Sequence, residues 1–379
     1  MNGNCRAGRI AALPVALALA ACGATPTAAV PAAAPDASCR DERALLAWQR
    51  ASARLAAAAA ADAAGDPAAT TFGDAAALPD LEVVVAACAD FVRGHVAYQD
   101  AARRLGGAAE ARMRAFYDAG GDDGSARAAY CRARLLPTTY AQSAAFTALL
   151  AREPRFAWAR LSLARIARSQ GRLLAALDGL ATALRDAPDL HEVRRERAEA
   201  LAELGRDGEA AAEYRVYVAA EPGDRVAVRD FVRLLLYRLG RTSEASPLLA
   251  QLEAEAPQDL ELRMDRAAVH WQAGELQRCA EAYLAVLAAA PTATRAALNL
   301  GLLYYDVAPA ADAASRRRFW PAARAAFRWF LDGPAPTGGV EQYERTLGVP
   351  FRLARIAEQL GPESPALVRL ADLRWPLAD

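Results

Sequence analysis

Two consecutive segments of 34 residues share one pattern: residues 157–190 read AWARLSLARIARSQGRLLAALDGLATALRDAPDL, and residues 191–224 read HEVRRERAEALAELGRDGEAAAEYRVYVAAEPGD. Both segments carry a glycine, Gly171 or Gly205, and a proline, Pro188 or Pro222, in the same places. Apolar residues between these markers recur at intervals of three, four and seven residues, which is typical of an amphipathic helix. The two segments therefore predict repeated helical structure.

The two markers continue on both sides of these segments. Prolines fall at Pro154, Pro188, Pro222, Pro257 and Pro291, and glycines at Gly171, Gly205, Gly240 and Gly274, with every spacing 34 or 35. A glycine ends a helix without steric cost, because it adopts the left-handed conformation needed after the last turn. A proline beyond the second helix stops that helix and can begin the next one. Each period therefore predicts two antiparallel helices.

Small residues occupy the places where two helices would cross. They are Ala164, Ala198 and Ala267 in first helices, and Ala176, Ala210, Ala245 and Cys279 in second helices. Together with the period, these markers resemble the tetratricopeptide repeat family. The resemblance implies an all-α fold: a right-handed α-solenoid of tetratricopeptide helix pairs with helical N- and C-terminal caps. It also implies that the first helices line a concave groove for a protein or peptide partner.

The resemblance covers the middle of the chain. Four clear units span 157–190, 191–224, 225–259 and 260–293, and a fifth begins with Ala297-x-x-Leu300-Gly301-x-x-Tyr304. An insertion at 308–318 interrupts this fifth unit, and its second helix is expected to resume near Phe319. We therefore assign 121–336 to the repeat array, with a degenerate unit at 121–156, clear repeats at 157–293 and an irregular fifth repeat at 294–336.

The flanks of the array are also predicted to be helical. Residues 39–120 form an N-terminal lobe, with helices expected at 40–62, 80–105 and 107–119 and a polar link at 63–79. Residues 337–379 form a C-terminal cap with helices at 340–360 and 364–372. A repeat array needs such caps because each terminal unit leaves one face uncovered.

The first 38 residues have the pattern of a targeting segment. A polar start with two arginines precedes twelve apolar residues at 10–21, which is the pattern of a secretory signal and too short to span a bilayer. Leu19-Ala20-Ala21-Cys22 resembles a bacterial lipoprotein box. The resemblance implies a signal peptide at 1–21, lipidation of Cys22 and an Ala/Pro-rich tether at 22–38. Gly23 after the cysteine favours the outer membrane of the bacterial envelope, with the folded part facing the periplasm.

The other cysteines are sorted by position. Cys279 is predicted to be a small buried thiol at a helix crossing. Cys39, Cys88 and Cys131 lie in the N-terminal part, where an oxidising compartment makes one disulfide plausible. Two of the three would pair, and Cys39–Cys88 is slightly favoured.

Composition excludes several classes of site. All 45 basic residues are arginine, so every lysine-dependent site is excluded, including the Walker A loop and Schiff-base catalysis. The formal net charge is zero, which argues against a nucleic-acid partner. His95, His191 and His270 are isolated in sequence and lack metal-ligand spacing. We expect no metal and no cofactor.

The groove implied by the resemblance supplies the candidate binding residues. Counted from the glycine and proline markers, they are Arg165, Arg168, Arg195, Glu199, Tyr237, Trp271, Arg295, Asn299 and Tyr305. Leu161 and Arg165 replace key members of the carboxylate clamp found in chaperone-binding relatives, so capture of a chaperone tail is not supported. Arg316-Arg317-Arg318-Phe319-Trp320 is either a solvated loop tip or a site for an anionic partner.

Three functions remain open from the sequence. The leading interpretation is a lipid-tethered, non-enzymatic scaffold or assembly factor that binds a protein or peptide in the groove and touches the membrane through its lipid. The first alternative is an envelope enzyme with a site in the N-terminal lobe, for which His95, Asp100 and Cys131 are the imaginable residues. The second is a structural spacer, expected if the chain's own C-terminal helix fills the groove. The sequence specifies neither the partner nor the oligomeric state.

Overall fold

A computed structural model describes residues 39–63, 66–120, 124–307, 313–334, 344–361 and 368–376. These residues form helices joined by short turns, so the all-α prediction is confirmed. The helices are α1 (Glu42–Ala63), α2 (Pro67–Ala87), α3 (Val92–Leu105), α4 (Gly107–Ala119), α5 (Ala126–Arg134), α6 (Thr139–Arg152), α7 (Ala157–Ser169), α8 (Leu173–Asp186), α9 (His191–Glu203), α10 (Asp207–Ala220), α11 (Arg225–Arg233), α12 (Thr242–Glu255), α13 (Leu260–Gln272), α14 (Leu276–Ala289), α15 (Thr294–Val307), α16 (Ala313–Asp332) and α17 (Val349–Leu360).

Helices α7 to α14 form four consecutive pairs, one in each clear repeat of the sequence. The turn between the members of a pair contains the marker glycine, and Gly171, Gly205 and Gly274 have φ values of 72°, 75° and 73°. This is the left-handed conformation that the spacing predicts. Successive pairs pack on one another through α8 and α9, α10 and α11, and α12 and α13. The described array is therefore a solenoid of helix pairs.

One first helix departs from the regular pattern. Helix α11 continues into a π-helical turn at Leu234–Arg238, and the amide of Leu239 donates to the carbonyl of Leu234 at 3.1 Å. The repeat that contains this turn is one residue longer than its neighbours, with 35 residues from Pro222 to Pro257. The extra residue is therefore absorbed inside the helix rather than in a loop.

The helix crossings are packed by small residues as predicted. Ala176, Ala210, Ala245 and Cys279 are fully buried at equivalent places in four second helices. In the fifth unit, a Cβ on Gly301 would lie 2.5 Å from Cδ1 of the buried Phe327 ring. The glycine in the Leu-Gly-x-x-Tyr motif is therefore required by the close approach of α16 to α15.

The N-terminal lobe contains α1 to α4 and differs from the prediction in two places. The single helix expected at 80–105 is divided, because α2 ends at Ala87 and α3 begins at Val92. The prediction of a polar link at 63–79 is wrong, because α2 begins at Pro67 and continues past Pro79. Asp66 caps this helix by accepting a hydrogen bond from the amide of Ala69 at 3.0 Å, and proline is well tolerated in the first turn that follows. A disulfide joins Cys39, just before α1, to Cys88 at the end of α2.

The lobe is not a simple extension of the array. Helix α1 packs against α11, the first helix of the third clear repeat. Arg93 at the start of α3 forms ion pairs with Glu192 of α9 at 2.6 Å and with Glu221, just after α10, at 2.9 Å. The lobe therefore contacts the second and third clear repeats directly, although both are distant in sequence.

The C-terminal end differs from the prediction in two respects. Helix α16 begins at Ala313 rather than near Phe319, so residues 313–318 of the expected insertion are helical. Of the helix expected at 364–372, the described part contains only a 3-10 turn at Leu370–Leu373. Tyr304 binds this end by donating its hydroxyl to the carbonyl of Leu373 at 2.7 Å. A π-helical turn at Glu344–Gly348 leads into α17.

The predicted signal peptide, the lipidation residue Cys22 and the tether lie outside the described residues, as do residues 308–312 of the insertion. None of the helices in the described part of the chain combines the length and the apolar character needed to cross a bilayer.

Candidate functional site

The charged groove candidates of the first two clear repeats bind one another. Arg165 donates to Glu196 at 2.5 Å, and Arg168 lies 2.7 Å from Glu199. Arg195 pairs with Glu199 within its own helix at 2.9 Å and reaches Asp224 at 2.8 Å. The structure thus brings four predicted residues together, but as a network that joins one repeat to the next.

The network follows a rule that repeats along the array. Arg195 and Arg229 stand at equivalent positions, seven residues after a marker proline, and each pairs with the aspartate that precedes the next first helix, Asp224 or Asp259. The charged side chains that were predicted to bind a ligand therefore stabilise the contact between repeats in the free protein. Because both partners are partly buried, these pairs are stronger than ordinary surface ion pairs.

Two predicted aromatic residues remain exposed. Tyr237 and Trp271 each lie three residues before a marker glycine in consecutive repeats, with exposed fractions of 56% and 43%. Tyr237 is held in place because its hydroxyl donates to the buried carboxylate of Asp265 at 2.7 Å. Burial and this carboxylate raise the pKa of Tyr237 above its usual range. We call the surface formed by Glu199, Ala202, Asp230, Tyr237 and Trp271 the first-helix face.

The candidates in the fifth repeat are engaged by the C-terminal part of the chain or by the fourth repeat. Tyr305 stacks on Trp320 with ring centroids 5.3 Å apart, and the guanidinium of Arg352 in α17 lies 5.9 Å from the Tyr305 ring. Arg295 pairs with Glu261 at 2.5 Å, and Asn299 hydrogen-bonds Tyr283. The C-terminal helix thus covers the fifth repeat and leaves Tyr237 and Trp271 exposed, which does not fit a groove filled by the chain itself.

Sequence reasoning missed two residues of the first-helix face, Ala202 in α9 and Asp230 in α11. Asp230 is the charged one. Its carboxylate is half-buried and makes no hydrogen bond or ion pair within the described residues. Burial raises the pKa of Asp230, while Arg195 and Arg233 attract the carboxylate from a longer distance and lower the pKa. A comparison of the residue eight places after each marker proline would have singled it out, since Glu196, Asp230 and Asp265 all stand there.

The three residues considered for an enzyme do not form a nucleophile with its base. His95 is buried, with Nδ1 at 2.8 Å from the hydroxyl of Tyr117 and Nε2 at 2.9 Å from the carbonyl of Ala89. Burial lowers the pKa of His95 to about 4 and raises the pKa of the buried Cys131 thiol to about 11. Asp100 pairs instead with Arg134 at 2.5 Å. Both ring nitrogens of His95 are occupied, and the thiol is neutral, so this cluster is structural.

Two further titratable candidates, His270 and Cys279, have local partners. His270 of α13 lies 2.7 Å from Glu275, the residue immediately before α14. Cys279 is a buried thiol whose pKa burial raises to about 11. Within the described chain, no group of three or more His, Cys, Asp or Glu side chains is arranged to hold a metal ion.

A cleft of about 730 Å³ lies where the lobe meets the array. It is lined mainly by small and apolar side chains, among them Ala57 and Ala61 of α1 and Val226 of α11. Its charged rim residues Arg229 and Asp259 are paired with each other. The cleft therefore offers apolar contact area but no reactive group.

The basic run at 316–318 is part of α16 and does not form a loop tip. Arg318 donates to the carbonyl of Pro376 at 2.8 Å and lies over the Phe319 ring at 5.0 Å. Arg316 lies over the Trp320 ring at 5.6 Å. At least two of the three arginines therefore have partners within the protein, which weakens the interpretation as a site for an anionic ligand.

No protein-family model and no curated protein matches the chain. Among solved structures, a tetratricopeptide repeat protein from Parabacteroides merdae is 18% identical, with a TM-score of 0.46, and the match covers 62% of this chain and 91% of that one. YrrB, a tetratricopeptide repeat protein, is 18% identical with a TM-score of 0.42, covering 50% and 92%. A double mutant of MamA from RS-1 is 19% identical with a TM-score of 0.40, covering 46% and 93%. All three TM-scores are below 0.5.

Proposed function

We propose that the protein is a non-enzymatic scaffold that binds a peptide segment of a protein partner on its first-helix face. The observation that carries this proposal is the exposed pair Tyr237 and Trp271, at equivalent places in consecutive repeats. Tyrosine and tryptophan are the side chains that contribute most to binding hot spots, because they bury a large area at a low entropic cost. The zero net charge supports a protein partner over a nucleic acid.

We further propose that this scaffold is anchored to the bacterial envelope by a lipid on Cys22, and that it acts in assembly there. The support is the sequence alone: an apolar signal run, a lipoprotein-like box and a proline-rich tether. The test is metabolic labelling with a clickable fatty acid in cells that produce the full chain. We expect label on the wild type and none on Cys22→Ser, and label on both variants would contradict the assignment.

The binding proposal can be tested by photo-crosslinking at single positions in cells. A photoreactive amino acid replaces Trp271 on the first-helix face, and in a matched variant it replaces Val216, an exposed apolar residue of the second helix α10. We expect position 271 to give a discrete protein adduct that position 216 does not give. Adducts from both positions, or from position 216 alone, would show that the first-helix face is not the binding surface.

A further inference from the structure

Five residues stand eight places after successive marker prolines, and all five are polar: Ser162, Glu196, Asp230, Asp265 and Asn299. Four of them hydrogen-bond the preceding repeat. The hydroxyl of Ser162 lies 3.0 Å from the Tyr130 hydroxyl, Glu196 accepts from Arg165 at 2.5 Å, and Asp265 accepts from Tyr237 at 2.7 Å. Asn299 bonds Tyr283. Asp230 alone among the five makes no such bond in the described chain.

The reason lies in the preceding first helix. Glu196 receives its donors from Arg165 and Arg168, three and six residues after the equivalent position in α7. For Asp230, the residues at those places in α9 are Glu199 and Ala202, a carboxylate and a methyl group. Neither can donate a hydrogen bond, so the donor that completes the contact elsewhere is missing at this step.

The surrounding cations do not fill the gap. Arg195 is committed to Glu199 and Asp224, and Arg233 is committed to Glu261 at 2.9 Å. Glu199 itself is shared between Arg168 and Arg195. The carboxylate of Asp230 therefore stands without a hydrogen-bonding partner in the described chain where the second and third clear repeats meet, seven residues before the exposed Tyr237.

We infer that Asp230 receives a basic side chain of the partner peptide, an arginine or a lysine, in the place that Arg168 fills one repeat earlier. This inference rests on the proposed function and names the chemistry of the partner. Charge complementarity decides the occupant, because a cation completes the missing hydrogen bond of Asp230. An acidic segment would meet the unpaired carboxylate of Asp230 instead.

The test uses a phage-displayed library of random 12-residue peptides, selected on the full wild-type chain and counter-selected on Trp271→Ala. We expect the selected peptides to share a basic residue at one position. Asp230→Asn should weaken a synthetic peptide by about tenfold or more, as for loss of one charge-assisted hydrogen bond. Ala202→Arg should weaken it as well, because it supplies the missing guanidinium from within. The matched control Asp178→Asn, on the exposed side of α8, should not change binding.

The outcomes separate this inference from the proposed function. One contrary result is that the selected peptides depend on Trp271 but share no basic residue, and another is that they bind Asp230→Asn and the wild type equally. Either result would support the first-helix face as the binding surface and would overturn the cation site. If the wild type selects no peptide that depends on Trp271, the proposed function fails and the cation site fails with it.

Thermal unfolding provides a second readout that does not need a peptide. Asp230→Asn should raise the melting temperature, because it removes a half-buried carboxylate that has no partner. Asp265→Asn, at the equivalent position one repeat later, should lower it, because that carboxylate bonds Tyr237 and Arg233. A lower melting temperature for Asp230→Asn would show that the carboxylate already has a partner, and would overturn the inference.

Discussion

Arginine is the residue that joins one repeat to the next. Its planar, permanently charged guanidinium can reach two carboxylates at once, as Arg195 does with Glu199 and Asp224. The alternation of arginine with glutamate along α9 predicts a surface rich in salt bridges. It does not predict which arginine meets which carboxylate, because that choice depends on how far each helix is rotated against its neighbour.

Close packing at the crossings makes a prediction for Ala210. This residue is fully buried in α10, and Ala210→Leu should overpack the crossing and cost about 1–3 kcal/mol of unfolding free energy. The measurement is urea unfolding followed by circular dichroism. The control is Ala212→Leu, at an exposed position of the same helix, which should change stability by no more than about 0.5 kcal/mol. Equal stabilities for the two variants would contradict the assigned repeat register.

The buried imidazole of His95 makes a prediction for pH. Burial lowers its pKa from 6.5 to about 4, so between these values the unfolded chain binds a proton that the folded chain does not bind. The stabilising effect of the neutral ring is complete above pH 6.5 and is lost as the pH falls towards about 4.

The comparison that isolates this effect is between the wild type and His95→Gln, which keeps a hydrogen-bonding side chain but does not titrate. From pH 7 to pH 4.5, the wild type should lose up to about 3 kcal/mol more stability than the variant. The measurement is urea unfolding at both pH values. Parallel pH dependences for the two proteins would show that His95 does not carry the effect.

At the scale of elements, the π-helical turn of α11 explains an irregularity that is visible in the sequence. The interval from Gly171 to Gly205 is 34 residues, and the interval from Gly205 to Gly240 is 35. The proline intervals place the extra residue between Pro222 and Gly240, which is the range of α11 and its turn. The location was therefore readable from two sets of markers, but its form was not, because a loop could also have absorbed one residue.

Helix α2 shows where local signals mislead. Gly73 and Pro79 stand inside it, and both residues are unfavourable in a helix interior. The structure retains the helix because α1 packs closely along it: a Cβ on Gly73 would lie 2.7 Å from Cβ of Ala58. Arg54 of α1 also donates to the carbonyl of Ala76 at 2.8 Å. Tertiary packing overrides the low helix propensity of these residues, and no local signal in the sequence predicts that packing.

The disulfide of the lobe makes a prediction at the same scale. Cys39 and Cys88 are 49 residues apart, and a loop of this length predicts a stabilisation of about 4 kcal/mol from the restricted unfolded chain. The double variant Cys39→Ala/Cys88→Ala should lose about this amount in urea unfolding. A reducing agent should lower the melting temperature of the wild type but not that of the double variant. An unchanged wild type under reducing conditions would contradict the prediction.

At the scale of the whole molecule, the N-terminal lobe contacts repeats that are not its neighbours in sequence, unlike the units of a simple repeat array. In a simple solenoid each unit contacts only the next, so stability is a sum of local terms. Here α1 contacts α11, and Arg93 bridges to Glu192 and Glu221. The repeat period predicted the helix pairs of the array, but no periodic signal marks a contact between the lobe and the array.

Arg93 makes the corresponding prediction. It is largely buried against two carboxylates, and both attract it strongly enough to raise its pKa. Arg93→Ala leaves Glu192 and Glu221 facing each other without a cation and should cost about 2–4 kcal/mol. Hydrogen exchange should then become faster in α1 and α3 while the amides of α13 to α16 keep their protection.

The control for this prediction is Arg112→Ala. Arg112 pairs with Glu82 at 3.6 Å, with both side chains well exposed, so its removal should cost less than about 1 kcal/mol. If Arg93→Ala and Arg112→Ala behaved alike, or if exchange rose evenly along the chain, the lobe would not be held to the array by Arg93.

The contact between α1 and α11 also has a consequence in time. About 160 residues separate the end of α1 from the start of α11, so at ordinary rates of synthesis α1 precedes its docking site by roughly 10–30 s. During that interval its docking face has nothing to cover it. Ala57 and Ala61 of α1, which line the cleft beside α11, are small, and Arg93 of α3, which pairs with the second clear repeat, is charged. We expect a nascent chain with this composition to stay soluble until its partner helix emerges.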